Sequence, residues 1–141
     1  MSILDFFRRR KRGGSFDPMD NFAYNHRLYD RFQRDLSRHA LPRFPDPTPA
    51  QIAKRMRERQ EDAQKQCVGM TNEAYAKLLT NLAIPVEVDI WVDKVIDHYF
   101  SNFRTVMGMG GMTAAARAQL YEYRGYTWYS YQELHPDVIF D

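Results

Sequence analysis

The chain has 141 residues and a formal net charge of +2, a length that fits one domain able to bury about two thirds of its unfolded surface without disulfides or metals. A single cysteine, Cys67, excludes an internal disulfide framework and favours a reducing compartment. No run of about 18 apolar residues occurs, so we expect no membrane-spanning helix.

Charge is unevenly distributed along the chain. Residues 1–70 hold fifteen Lys or Arg against nine Asp or Glu, whereas residues 71–141 hold five against nine. Arginine outnumbers lysine threefold, and 14% of the residues are aromatic. Arginine and aromatic side chains are enriched at the cores of protein interfaces. The composition therefore favours a protein that works inside a complex.

Residues 1–17 are predicted to form a basic, flexible N-terminal segment. Its cationic residues are Arg8, Arg9, Arg10, Lys11 and Arg12. The apolar stretch before them is too short for a secretory signal. Three uses stay open: a solvated tail, a targeting element or contact with a membrane surface or acidic partner, and a nucleic-acid or nuclear-import segment. Arg8, Arg9 and Arg10 are candidate partner-binding residues.

A helical domain is predicted over residues 18–125. Its first helix begins at Pro18, with Asp17 as N-cap, and is expected to run to about Ala40. The apolar stripe of this helix consists of Leu28, Tyr29, Phe32 and Leu36. Arg27 and Arg31 lie on flanking faces and are candidate partner-binding residues. Four prolines within residues 42–49 then predict a stiff connector.

The second helix is predicted from a capping box in which Thr48 caps and Gln51 returns the hydrogen bond. It should extend to about Gln66 with only a narrow apolar stripe. Two interpretations follow: a solvent-facing helix stabilised by charge pairs, or a basic docking face for an acidic partner. Arg55 and Arg57 are the candidate partner-binding residues of that face.

The third helix is predicted from a Thr71 cap and an apolar i, i+3, i+4, i+7 pattern. The residues of this pattern are Tyr75, Leu78, Leu79 and Leu82. They indicate a short, well-packed helix that ends before Pro85.

The longest apolar stripe predicts a central helix at about residues 86–107. Its members are Val88, Trp91, Val92, Val95, Tyr99, Phe103 and Val106. Pro85 suits the helix start and Gly108 its end. The alternation of apolar and acidic residues over 86–92 is also compatible with an edge strand, but the helical period persists further and favours a helix.

After the central helix, glycines at positions 108, 110 and 111 predict a flexible break. Thr113 should cap a last helix from Ala114 to about Arg124, which Gly125 ends. The fold class predicted is mostly α, with four to five helices packed around a long central helix and with extended N-terminal and C-terminal arms.

Residues 126–141 are predicted to form an aromatic, extended C-terminal arm. Its candidate partner-binding residues are Tyr126, Trp128, Tyr129, Tyr131 and Phe140. So much aromatic surface would make a large exposed patch if nothing covered it. Two placements stay open: the arm folds over the helices of its own chain, or it lies on a neighbouring subunit.

The sequence carries no motif that predicts catalysis. Its four histidines have no metal-site spacing, and no phosphate-binding loop or nucleophile motif occurs. Asp89, Asp93 and Asp97 fall on one helix face, which indicates a solvated face, or one docked on arginines, rather than a metal site. We therefore expect no enzyme, no catalytic, cofactor-binding or metal-binding residues, and no sequence-specific nucleic-acid readout.

Residues 27–80 resemble the LYR-motif family of small mitochondrial proteins. The resemblance rests on Leu28-Tyr29-Asp30, on Phe44-Pro45-Asp46, on Ile52, Arg55, Arg57 and Glu58, and on Thr71-Asn72-Glu73 with Leu78 and Leu79. It implies a non-catalytic accessory subunit or assembly factor, with acyl carrier protein as a partner. Asp30 and Gln60 depart from the family pattern, so Arg27 or Arg31 would have to supply the charge that Asp30 replaces.

Together these features predict a non-catalytic structural or accessory subunit of a large multiprotein assembly. A mitochondrial respiratory-chain, ATP-synthase or ribosomal complex is the favoured setting, on the matrix side or at the inner membrane, with other protein subunits as partners. The alternatives are a phage virion protein, either portal-associated or a head–tail adaptor, and a nucleic-acid-associated structural protein.

Overall fold

The computed structural model describes residues 18–104 and 110–136. These ranges contain helices and no strands. The helices are α1 (Pro18–Ser37), α2 (Pro49–Gln66), α3 (Asn72–Leu82), α4 (Val86–Phe100), α5 (Gly110–Tyr123) and α6 (Tyr131–Leu134). The mostly helical prediction is confirmed, with six helices in the described ranges where four to five were expected. Predictions for residues 1–17, 105–109 and 137–141 lie outside the described part of the chain.

The N-terminal caps of α2 and α3 form as the sequence predicts. The Thr48 hydroxyl accepts a hydrogen bond from the Gln51 amide N–H at 3.2 Å, and the Gln51 side chain accepts one from the Thr48 amide N–H at 2.9 Å. The Thr71 hydroxyl accepts a hydrogen bond from the Ala74 amide N–H at 3.1 Å. Each cap satisfies donors that a helix start leaves without partners, so both starts are fixed by the local sequence.

Helix α4 is the central element of the core, as predicted, and α1, α2 and α5 pack on it. The buried core comprises Phe32, Ile84, Val88, Val92, Val95, Tyr99, Phe100, Ala116, Leu120 and Tyr121. Phe32 of α1 makes edge-to-face contacts with Tyr99 at 5.4 Å and with Phe100 at 5.5 Å between ring centroids. This geometry suits aromatic quadrupoles and fixes α1 against α4.

The prediction that α4 reaches residue 107 is wrong for its described part, because the helix ends at Phe100. The Asn25 amide binds the non-helical chain that follows this end. Its Nδ2 donates to the Arg104 carbonyl at 2.6 Å, and its Oδ1 accepts from the Arg104 amide at 2.8 Å. Asn25 is fully buried, so it satisfies these two backbone groups in a non-helical conformation.

Two further helix boundaries differ from the expected ones. Helix α1 ends at Ser37 rather than near Ala40, because the chain turns through His39 with a φ of +53°. Helix α5 begins at Gly110 rather than Ala114, so the expected glycine break lies partly within its first turn. Gly125, with a φ of +90°, follows the end of α5 as expected.

Helix α3 is not well packed, contrary to expectation. Only Ala74 and Leu78 are buried, whereas Tyr75, Leu79 and Leu82 are exposed. The period of the apolar residues was identified correctly, but most of the stripe faces solvent because α3 packs mainly on the short helix α6.

The described part of the C-terminal segment, residues 126–136, folds back over its own chain. The Trp128 ring stacks on Tyr121, with centroids 5.4 Å apart and planes 18° apart. Leu134 of α6 is buried, and Ser130 begins α6 with a capping box. Residues 131–134 are therefore helical rather than extended. In the described ranges, no helix has the length and apolar character needed to cross a membrane.

Candidate functional site

The acidic face of α4 is bound by arginines from two neighbouring helices. Asp89 lies 3.8 Å from the Arg55 Nε and 3.6 Å from the Arg59 Nε, both on α2. Asp93 pairs with Arg55 and, at 2.6 Å, with the Arg117 guanidinium of α5. Of the two alternatives predicted for this face, docking on arginines is therefore found at these two aspartates, while Asp97 is exposed. These contacts join α2, α4 and α5.

Arg59 also binds the main chain at the α3–α4 turn. Its guanidinium donates to the carbonyl oxygens of Ile84 at 2.8 Å, Asn81 at 3.0 Å and Leu82 at 2.8 Å. The last carbonyls of a helix have no partners within it, so Arg59 supplies donors where α3 ends. One side chain thus holds α2, α3 and, through Asp89, α4 together.

One tyrosine hydroxyl extends this polar network, and a second makes a separate bond between α4 and α1. The Tyr121 hydroxyl donates to Asp89, and burial, reinforced by the Asp89 carboxylate, raises the pKa of Tyr121 well above its ordinary value. The Tyr99 hydroxyl donates to Asp35 at 2.6 Å, and desolvation, followed by the Asp35 hydrogen bond, raises the pKa of Tyr99 in the same direction. These groups hold their protons and act as donors that fix α1 and α5 on α4.

A cleft of about 320 Å³ lies between α2, α3 and the C-terminal segment. Its lining residues are Arg59, Asp62, Ala63, Gln66, Leu78, Asn81, Leu82, Asp89, Trp128, Tyr129, Tyr131 and Leu134. Arg59 and Asp89 bind each other there, and Asn81 is bonded to the Tyr129 backbone at 2.8 Å in both directions. Within residues 18–104 and 110–136, no group of three His, Cys, Asp or Glu side chains could hold a metal ion. The cleft is thus lined by groups that stabilise the fold.

An apolar patch crosses from α2 to α3 and the first residue of α4 beside this cleft. We define it as Met56, Tyr75, Leu79, Leu82 and Val86. The exposed fractions of the first four are 49%, 46%, 47% and 37%. Met56, Leu82 and Val86 line a groove of about 270 Å³. The sequence pattern includes Tyr75, Leu79 and Leu82, but it predicts a well-packed helix. The sequence therefore does not predict this exposed apolar patch.

A second surface feature, the ring stack, was not predicted. We define it as His39, Trp91, Tyr123 and Arg124. The Trp91 and Tyr123 rings lie 6.3 Å apart at 16°, and the Arg124 guanidinium lies 4.8 Å from the centroid of Trp91. The His39 ring lies 5.6 Å from Tyr123. These residues come from three separate segments of the chain, around positions 39, 91 and 123, so no local pattern could have joined them.

The predicted partner-binding arginines fall into three groups. Arg8, Arg9 and Arg10 lie outside the described residues. Arg27, Arg31 and Arg57 are exposed. Arg55 is half-buried and forms ion pairs with Asp89 and Asp93. At Arg55, the basic face of α2 therefore contacts α4 of its own chain.

The predicted aromatic residues of the C-terminal segment are similarly divided. Tyr126 and Trp128 pack against the core, and Tyr129 is half-buried, with Lys77 5.5 Å from its ring centroid. Tyr131 is exposed, and Phe140 lies outside the described residues. Of the described aromatic candidates, Tyr131 therefore presents the most surface.

The residues of the LYR-like stretch occupy different environments. Leu28 and Tyr29 are partly buried against the core, whereas Asp30 is exposed. Comparisons of the chain with protein-family models, with curated proteins and with solved structures find no significant match.

Proposed function

We propose that this protein is a non-catalytic accessory subunit of a large multiprotein assembly, and that the apolar patch is where a neighbouring subunit binds. The observation that carries the proposal is the row of exposed apolar side chains on α3. Tyr75, Leu79 and Leu82 recur at i, i+4 and i+7 along one side of the helix. Met56 extends this row onto α2 across the groove.

Such a row suits an amphipathic helix of another subunit. A partner helix laid along the groove would use its own i, i+3, i+4 and i+7 residues to cover the patch. Burying apolar surface contributes about 25 cal/mol per Å², so covering these side chains favours association. Contiguous exposed apolar residues of this kind are typical of sites that a partner covers.

The polar network supports a structural role rather than a catalytic one. The Arg59 guanidinium donates hydrogen bonds to three carbonyl oxygens and forms an ion pair with Asp89. Asp89 and Asp93 both form ion pairs with arginines, and Asp89 also accepts a hydrogen bond from the Tyr121 hydroxyl. A catalytic acid or base needs access to a substrate, and these groups are engaged with one another.

The setting we propose is mitochondrial, on the matrix side or at the inner membrane, in a respiratory-chain, ATP-synthase or ribosomal complex. Support comes from the resemblance of residues 27–80 to the LYR-motif family and from the Arg-rich start of the chain. The resemblance adds acyl carrier protein to the partners that should be sought.

The test is purification of the tagged chain from its native source, followed by identification of the proteins that accompany it. We expect co-fractionation with an organellar complex. A Tyr75→Glu/Leu79→Glu variant should lose these partners while it keeps its far-UV circular dichroism and its thermal midpoint. Thr80→Glu, on another side of the same helix, is the matched control and should retain them.

Two results would contradict the proposal. The first is a free, monomeric protein in the cytosol. The second is an unchanged set of partners in the double variant. A closed homo-oligomeric ring would instead favour the virion alternative, because a head–tail adaptor assembles in that way.

A further inference from the structure

The ring stack is a surface feature that the apolar patch does not include. Tyr123, Arg124 and His39 are exposed, and Trp91 is half-buried. The planes of Trp91 and Tyr123 are nearly parallel, at 16°. Tyrosine and tryptophan with arginine over the ring form an aromatic surface that also carries positive charge.

His39 is held in this stack by the turn that ends α1. Its φ of +53° lies in the left-handed region that residues other than glycine rarely adopt. The turn is closed by two hydrogen bonds, from the His39 amide to the Leu36 carbonyl at 3.2 Å and from the Ala40 amide to the Asp35 carbonyl at 2.8 Å. As a result, the imidazole lies 3.2 Å from the Tyr123 hydroxyl. These two bonds form the Schellman motif that commonly ends a helix, so the end of α1 positions His39 against Tyr123.

A row of arginines along α1 and the turn after it leads to the ring stack. Its members are Arg27, Arg31, Arg34 and Arg38, at i, i+4, i+7 and i+11. The row is about 16 Å long, at 1.5 Å per residue, and its last member directly precedes His39. All four side chains are exposed. Arg34 approaches Asp35 at 3.7 Å, whereas Arg31 and Arg38 make no salt bridge within the described ranges.

We propose that the arginine row and the ring stack together bind single-stranded nucleic acid without sequence preference. A base would take the place of the exposed His39 ring on Tyr123 or of the Arg124 guanidinium on Trp91, and the phosphates would bind the arginine row. A positively charged track beside aromatic rings is the combination that single-strand binding requires. Arg124 and His39 add donors for phosphate or base edges within the stack.

The ring stack favours nucleic acid over an acidic protein as the ligand. The arginine row alone would suit carboxylates as well as phosphates. A carboxylate has no aromatic face to stack on the two nearly parallel rings at the end of the row, whereas every base has one. This inference goes beyond the proposed subunit role and uses residues outside the apolar patch.

The experiment measures binding of the full chain to a fluorescein-labelled oligouridylate by fluorescence anisotropy at several salt concentrations. We expect binding at about 50 mM salt that weakens as salt rises. Tyr123→Leu should weaken it about tenfold, because one stacked base is lost. Tyr75→Leu, at a similarly exposed tyrosine in the apolar patch, is the matched control and should have no effect.

A second variant tests the phosphate contacts. Arg31→Ala/Arg38→Ala should weaken binding and reduce the slope of log K against log salt by about 1.4, because each phosphate contact on a single strand contributes about 0.7. Circular dichroism of each variant verifies the fold.

Three outcomes would overturn the proposal. One is no binding of the oligonucleotide at low salt. Another is binding that Tyr123→Leu leaves unchanged, which would indicate a surface that senses charge alone. The last is competition by polyglutamate at the same charge concentration as strong as that by unlabelled oligouridylate, which would indicate an acidic protein ligand. The Tyr75→Glu/Leu79→Glu variant should still bind the oligonucleotide, so failure here is separate from failure of the subunit proposal.

Discussion

The Asn81 side chain and the Tyr129 backbone form a reciprocal pair of hydrogen bonds. The Asn81 Nδ2 donates to the Tyr129 carbonyl, and the Tyr129 amide donates to the Asn81 Oδ1, both at 2.8 Å. Asn25 binds the Arg104 backbone in the same way. An asparagine amide can imitate a backbone group because it carries one acceptor and two donors. Each asparagine therefore fixes a segment that has left regular helix.

Replacing Asn81 should loosen the C-terminal segment before the rest of the fold. Asn81→Ala removes two hydrogen bonds and leaves two half-buried backbone groups of Tyr129 without protein partners, at a cost of about 2 kcal/mol. We expect faster amide hydrogen exchange at residues 126–136, with smaller changes in α1 and α4. Asn72→Ala, at an exposed position in the first turn of α3, is the control. Uniform acceleration across all helices would show that the segment is part of the cooperative core.

Replacing Asn25 should have a larger, global effect. Asn25 is fully buried and both polar atoms of its amide are bonded to Arg104. Asn25→Ala leaves the Arg104 groups unpaired and adds a cavity, so we expect a loss of about 3 kcal/mol. Urea denaturation gives this value directly. A loss below about 1 kcal/mol would mean that water replaces the amide at this site.

The sequence was most informative where short-range interactions decide the structure. The capping residues Thr48, Gln51 and Thr71 mark helix starts because each bonds to a backbone group a few residues away. The period of the apolar residues likewise identified α4 as the central helix. Both signals act within about one or two helical turns.

Contacts between residues far apart in the chain could not be predicted from the sequence. Asn25 binds the Arg104 backbone beyond the end of α4 across 79 positions, and the ring stack joins His39 to Tyr123 across 84 positions. The spacing of apolar residues along a helix also does not show which of them are covered by another helix. Tyr75, Leu79 and Leu82 therefore fit the pattern of a well-packed helix although they are exposed. The candidate surfaces therefore emerged only from the packing of the helices.

Removing the Arg59 guanidinium should destabilise the fold strongly. Arg59→Met keeps much of the apolar stem but leaves three carbonyl oxygens and Asp89 without this donor. Hydrogen bonds to a charged group contribute about 1.5–3 kcal/mol each, and these bonds share one side chain, so we expect a total loss of about 3–4 kcal/mol in urea denaturation. Arg57→Met, at an exposed position on the same helix, should change stability by less than about 0.5 kcal/mol. Equal effects of the two substitutions would refute the role assigned to Arg59.

Alkaline pH should unfold the protein through Tyr121 and Tyr99. The pKa of each hydroxyl is raised in the folded state from an ordinary value of 10.0, mainly by burial and then by the adjacent carboxylate. Below pH 10 both the folded and the unfolded chain hold these protons, so the stabilisation is fully present. As the pH rises above 10, the unfolded chain loses the protons first, and each tyrosine lowers the free energy of unfolding by about 1.4 kcal/mol per pH unit.

Tyr121→Phe separates this effect from general alkaline unfolding. The variant should be less stable than the wild type at pH 8, because Asp89 loses a hydrogen bond that contributes about 1–2 kcal/mol. It should then lose stability more slowly between about pH 10 and pH 11, since one of the two tyrosine contributions is gone. Tyr99→Phe should flatten the profile by a similar amount, and the double variant should flatten it further. Parallel profiles for the wild type and Tyr121→Phe in urea denaturation would show that the hydroxyl of Tyr121 titrates alike in the folded and unfolded chain.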